Sequence, residues 1–162
     1  TIPNIIQTMR SLFQKWQKDH CPDTKQGCLI QWGNIAHKHR FYFEGHATHT
    51  HGKCVDIRPM RQGAFVPSGI NIESRHVRRN IYSRARTEQF IKFLWDNGAT
   101  TVLFNDRSFN NRRYRGKRMA RWVPGHFDHI HVCFNKRQMK NICRDFQPDR
   151  KFCPNLATGN VK

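Results

Sequence analysis

Gly45-His46-Ala47-Thr48-His49-Thr50-His51-Gly52-Lys53-Cys54-Val55-Asp56 and, much later, Gly125-His126-Phe127-Asp128-His129-Ile130-His131-Val132 are the two stretches from which the rest of this chain is read. In the second, His129 and His131 alternate with Ile130 and Val132. Period two is the signature of a strand, so both imidazoles fall on one face and the aliphatic residues on the other. The first stretch leads into a strand predicted over 53–58 and ended by Pro59, with Val55 and Ile57 opposite Cys54 and Asp56. His49 and Asp56 make a His-x6-Asp spacing, and His129 and His131 make a His-x-His. Imidazole nitrogen and carboxylate oxygen are the donors zinc takes. Three protein donors with one open position make a catalytic rather than a closed structural site. Gly52 lets the backbone turn tightly between His49 and Asp56.

Outward from these strands the chain mixes helices and strands without strict alternation. Residues 3–18 are predicted helical, because Ile5, Ile6, Met9, Leu12, Phe13 and Trp16 fall on one stripe and Pro3 suits the first turn. Short strands are predicted over 29–32 and 40–43, joined by a turn near Gly33-Asn34. A second helix is predicted over 87–97, burying Phe90, Ile91 and Leu94 and stopped by Gly98. A strand follows over 100–104, then the ligand strand over 130–134 and a short helix over 136–143. Residues 60–86 and 107–121 lack periodicity and are expected to be long loops; the tail after Pro148 reads as irregular. The expected class is α+β: a single domain, residues 1–162, with a small, mainly antiparallel sheet carrying the ligands, flanked by helices and two basic loops that wall the cleft.

Composition narrows the field. With 162 residues, 37% of them hydrophobic, and 12 Phe, the chain can build a core. No apolar run approaches the ~20 residues of a membrane-spanning helix. The chain starts at Thr1 with no signal peptide, so it reads as a mature form or a domain cut from something longer. Its formal charge is +18, and between Arg75 and Arg121 there are 13 Lys or Arg against 3 acidic residues. Such a charge steers a protein to polyanions, nucleic acid and bacterial envelope among them.

Six cysteines with no Cys-x-x-Cys pair favour disulfides and an oxidising compartment over a cytosolic metal cluster. Fifteen pairings are open. Cys21 with Cys28, and Cys143 with Cys153, would close short loops. Cys54 lies two before Asp56 and Cys133 two after His131, so the pair meets beside the metal if the ligand strands are neighbours. The alternative is that both are small buried hydrophobes.

The two motifs resemble those of the lysostaphin, D-Ala-D-Ala peptidase and sonic hedgehog superfamily of zinc proteins, with the nearest likeness to penicillin-insensitive murein endopeptidases. The likeness is sharp over 45–58 and 125–134 and weaker over 86–106, where Val102-Leu103-Phe104-Asn105-Asp106 resembles a strand of that family's catalytic domain. The resemblance implies that His49, Asp56 and His131 bind one zinc per chain. It makes His129 the catalytic histidine beside the metal and puts His126, His46, Asn105 and Asp106 along the site. There are two departures. Cys54 stands where relatives often carry Ala or a polar residue, and no Glu lies just upstream of His129, which argues against dipeptidase chemistry.

The implied function is hydrolysis of peptide cross-links in bacterial peptidoglycan, in the periplasm or after secretion, by a housekeeping enzyme, a lysin or an antibacterial toxin with a cognate inhibitor or immunity protein. His126 would take the water proton and pass it to the leaving amine, while His129 steadies the oxyanion. Asp128 would orient an imidazole, although strand parity points it away from the site. The alternatives are a metal-dependent nuclease, for which nucleic acid is the less favoured partner, and a non-catalytic zinc-containing wall-binding module. Whether D,D or L,D bonds are cut stays open. The cluster Arg112, Arg113, Arg115, Lys117 and Arg118 is expected to hold the wall rather than to do chemistry.

Overall fold

The structure, a computed structural model, describes residues 5–21, 28–35, 53–63 and 81–145. The first helix, α1 (Ile5–His20), keeps the predicted stripe: Met9, Leu12 and Trp16 are buried and Phe13 packs beside them. Lys18 and His20 in its last turn complement the partial negative charge at a helix C-terminus. The Trp16 indole N–H donates to the Cys28 carbonyl at 2.9 Å, and the Cys21–Cys28 disulfide ties the helix end to the incoming chain.

The predicted turn at Gly33-Asn34 is not there. Those residues lie inside β1 (Trp32–Ile35), which pairs antiparallel with β2 (Cys54–Ile57). Gly33 tolerates a strand because main-chain pairing, not side-chain packing, holds it there. The predicted strand over 40–43 and the Cys143–Cys153 pairing lie outside the described residues.

The second helix, α2 (Arg84–Asp96), begins three residues earlier than expected. Ser83 caps it, its hydroxyl accepting from the Arg86 N–H. Sequence reasoning missed Ser83, because Arg84 and Arg86 break the amphipathic period where the cap stands. Phe90, Ile91 and Leu94 are buried as predicted. Gly98, at φ 88°, ends the helix; a Cβ there would also meet Gln138 Cγ at 2.4 Å.

After β3 (Ala99–Leu103), residues 107–121 are not a loop. They form the short helix α3 (Arg107–Asn110) and a hairpin of β4 (Arg113–Tyr114) and β5 (Lys117–Arg118). Arg115 and Gly116 both have positive φ, as a two-residue hairpin turn requires. The hairpin is anchored on α2: Tyr114 donates to Asp96 at 2.8 Å and the Trp95 N–H to the Met119 carbonyl at 2.9 Å. The chain closes with β6 (Ile130–Phe134) and α4 (Lys136–Asp145), the latter lying against α1.

The protein is thus α+β, with a sheet ordered β1-β2-β6-β3, antiparallel throughout. Val55, Ile57, Ile130, Val132 and Phe134 enter the core with α2 and α1. In the register of β2 against β6, Cys54 faces Cys133 and Asp56 faces His131. The alternation that buries the aliphatic residues therefore delivers those two pairs to the opposite face. No described helix is long and apolar enough to cross a membrane.

Asp106 belongs to this framework. It caps α3 through Ser108 N–H at 2.9 Å and accepts from Tyr82 Oη and Arg84 Nε, both at 2.8 Å. Burial pushes its pKa up, but these partners outweigh it and hold the carboxyl below the ordinary range. Asp106→Asn should lower stability by about 2–3 kcal/mol at neutral pH, the worth of charge-assisted bonds made in a buried place. A folded pKa below the unfolded one gives stability that is present above the unfolded value, ~3.9, and is lost as pH falls through the folded value. The gap between wild type and variant in urea melts should therefore narrow in acid. A gap constant with pH would remove the charge from the account.

Candidate functional site

Two imidazoles converge on one carboxylate oxygen. His131 Nδ1 lies 2.8 Å from Asp56 Oδ1, and His129 Nε2 lies 3.8 Å from the same atom. Asp56 and His131 are nearly inaccessible, while His129 is about one-sixth exposed. The arrangement follows from sheet register: Asp56 and His131 are direct cross-strand partners, and His129 precedes β6 on the same side.

His129 is held from behind. Its Nδ1 lies 2.7 Å from Asp128 Oδ1, and Asp128 Oδ2 accepts from Arg58 Nη1 at 2.6 Å. Burial raises the Asp128 pKa, yet the bonds from His129 and Arg58 bring it below the usual carboxylate range. Asp128 therefore orients the imidazole, and the parity objection fails because residues 127–128 form a bend ahead of the strand. A carboxylate on Nδ1 fixes the tautomer and leaves the Nε2 lone pair turned towards Asp56. Sequence reasoning missed Arg58; only its place at the end of a ligand strand pointed to it.

His126 completes the group. Its ring centroid is 4.9 Å from that of His129 and 5.6 Å from that of His131. Nδ1 faces the carbonyls of Val123 and Pro124, each at 3.1 Å. Carbonyls only accept, so Nδ1 carries the hydrogen and Nε2 keeps its lone pair. Burial, then the neighbouring His129, pulls this imidazole below its ordinary pKa. Asn105 holds the segment in place: its amide donates to the Val123 carbonyl at 2.7 Å and accepts from the Val123 N–H at 2.9 Å. Its own N–H donates to the His126 carbonyl at 2.9 Å. Asn105 thus acts behind the site, and Asp106 is engaged by Tyr82 and Arg84. His46 and His49 lie outside the described residues.

Asp56 and His131 carry donor types that metal ions take, and Oδ1 and Nδ1 stand at hydrogen-bond distance, 2.8 Å. On the far edge of His131, Nε2 is 3.3 Å from Cys133 Sγ. Cys54, His131 and Cys133 offer donor atoms all within 4.8 Å of one another, a group that could hold a metal ion. Both sulfurs are engaged in the Cys54–Cys133 disulfide. The cross-strand pairing expected for those cysteines is therefore present.

Compared with known proteins, the chain matches no protein-family model and no curated sequence.

If the site hydrolyses muropeptides with a metal bound, His129→Ala should lower turnover by about 10²–10³-fold while metal stays bound, the loss typical of one oxyanion-stabilising donor. Asp128→Asn should share part of that defect, because an amide on Nδ1 no longer orients the ring as the carboxylate does. Turnover of muropeptides beside elemental analysis checks both; near-normal turnover of His129→Ala would take His129 out of the chemistry.

Proposed function

We propose that the chain is a zinc-dependent endopeptidase that hydrolyses peptide cross-links of bacterial peptidoglycan. The observation that carries this reading is the meeting of Asp56, His129 and His131 around one carboxylate oxygen, with His126 in ring contact with both histidines. Asp56 and His131, with His49 by resemblance, would hold the zinc. Bound there, zinc would supply Lewis acidity towards the amide carbonyl and hydroxide at neutral pH.

The protein's own groups divide the proton work. His126 Nε2 has a free lone pair and a pKa held down, so it is neutral at pH 7 and fit to accept a proton from water and return it to the leaving amine. His129, oriented by the Asp128 carboxylate at Nδ1, is the ring placed to steady a developing oxyanion. The acid limb of kcat/KM should accordingly lie below 6.5, the ordinary histidine value from which His126 is lowered. His126→Gln should abolish that limb along with most of the activity. A limb unchanged in the variant would assign it to another group.

The exposed hairpin suits an anionic partner. Arg112 and Arg115 are engaged by Glu88 and Asp96, Arg113 donates to the Gly116 carbonyl at 2.8 Å and Lys117 lies over the Trp95 ring at 4.8 Å, so the hairpin would meet the wall as an exposed basic surface and not through unpaired cations. The two disulfides are compatible with a periplasmic or secreted setting, and a toxin role would bring a cognate inhibitor. The deciding experiment is digestion of purified sacculi and muropeptides with and without chelator, read by mass spectrometry, beside plasmid DNA. Chelator-sensitive loss of cross-linked muropeptides is expected. Intact muropeptides with cut plasmid would establish the nuclease reading, and metal-loaded protein inert to both would establish a binding module.

A further inference from the structure

The face that carries Asp56 also carries sulfur. His131 turns Nδ1 to Asp56 Oδ1 at 2.8 Å and Nε2 to Cys133 Sγ at 3.3 Å. One ring thus presents a different nitrogen to each of two donor groups. Cys54 is buried, Cys133 is partly exposed, and with His131 they hold their donor atoms within 4.8 Å of one another. In the disulfide these sulfurs are closed to metal, because the thiolate is the ligand.

We propose that reduction of Cys54–Cys133 opens a second metal site, made of both sulfurs and His131 Nε2, for a borderline-soft divalent cation such as zinc. A dithiol or phosphine reductant supplies two electrons, the S–S bond breaks, and two protons complete two thiols. Each thiol releases its proton as it takes the cation. Zn–S bonds near 2.3 Å require the sulfurs to separate to about 3.8 Å. Side-chain rotation can supply this, because the main-chain ladder of β2 and β6 holds the strands together without the crosslink. Cys133 gives reductant and cation a route from solvent.

The hydrogen on His131 decides between the two sites. For Nε2 to bind the cation, the ring hydrogen must sit on Nδ1, where Asp56 accepts it. Asp56 then serves as the carboxylate that orients a metal-bound histidine. For Nδ1 to act as a ligand beside Asp56, the hydrogen must sit on Nε2 and face sulfur. A neutral imidazole has one lone pair, so the two sites are alternatives at His131.

The test is cobalt(II) titration of the full chain, oxidised and after anaerobic reduction with a phosphine. Thiolate-to-cobalt charge-transfer absorption is expected only after reduction, and it should be lost in Cys54→Ser/Cys133→Ser, which retains the other cysteines. Because that variant also lacks a crosslink, a second measurement uses the reduced wild-type chain. Zinc should protect Cys54 and Cys133 from iodoacetamide, by peptide mass spectrometry, and leave Cys21 and Cys28 reactive. Cobalt bound without a sulfur band after reduction, a band that survives the double substitution, or equal alkylation with and without zinc would each overturn the proposal. None of these readouts uses peptidase activity, so they stand whether or not the hydrolytic reading does.

Discussion

Asp56→Ala is expected to abolish zinc retention and muropeptide hydrolysis together. Asp56 is almost fully buried, and its Oδ1 is the atom on which His131 and His129 converge. The substitution removes the carboxylate that His131 and His129 share and leaves Asp128 as the only carboxylate beside the described histidines of the site. Zinc in dialysed protein should fall to background. Turnover should drop by about 10³-fold or more, beyond the loss of any single oxyanion donor. Asp56→Asn is the informative companion. It keeps shape but gives a weaker, neutral donor, so it should recover part of the fold and little of the metal. Circular dichroism separates loss of metal from loss of fold. Native zinc content in a folded Asp56→Ala protein would remove Asp56 from the ligand set.

Cys54→Ser/Cys133→Ser is expected to cost about 4.5 kcal/mol of folding stability. The bridge spans a sequence separation of 79, a stretch that includes α2, β3, α3 and the hairpin. Closing so long a loop removes much of the unfolded chain's freedom, whereas the Cys21–Cys28 bridge, with a separation of 7, should contribute only about 2.5 kcal/mol. The order of the two effects is the discriminating result. Urea melts of the two serine pairs should show the larger midpoint shift for Cys54–Cys133, with a higher m-value as the unfolded state expands. If the short bridge mattered more, native packing around Trp16 and Cys28 would outweigh loop entropy.

The core strands were legible because period two is a local property. Val55 and Ile57 against Cys54 and Asp56, and Ile130 and Val132 against His129 and His131, state which side chains share a face. The burial of Val55, Ile57, Ile130 and Val132 follows directly. The cross-strand meeting of Cys54 and Cys133 was legible for the same reason, once the strands were taken as neighbours. Gly33 in β1 misled, because glycine marks conformational freedom and does not say whether a strand or a turn uses it, and the hairpin was missed because its two strands are only two residues long each.

What the chain determined alone is local: the helical stripe of Met9, Leu12 and Trp16, the two ligand strands, and a charge of +18 that needs an anionic partner or abundant solvent. Only the tertiary structure decided which partner each carboxylate takes. Asp106, read as site-lining, is taken by Tyr82 and Arg84 from 24 and 22 residues away, while Asp128, read as orienting an imidazole against strand parity, is bonded to His129 and to Arg58, the latter 70 residues away. Periodicity records the direction of a side chain relative to its own backbone. A hydrogen-bond partner across such a separation is set by how the elements pack, and no local pattern encodes it.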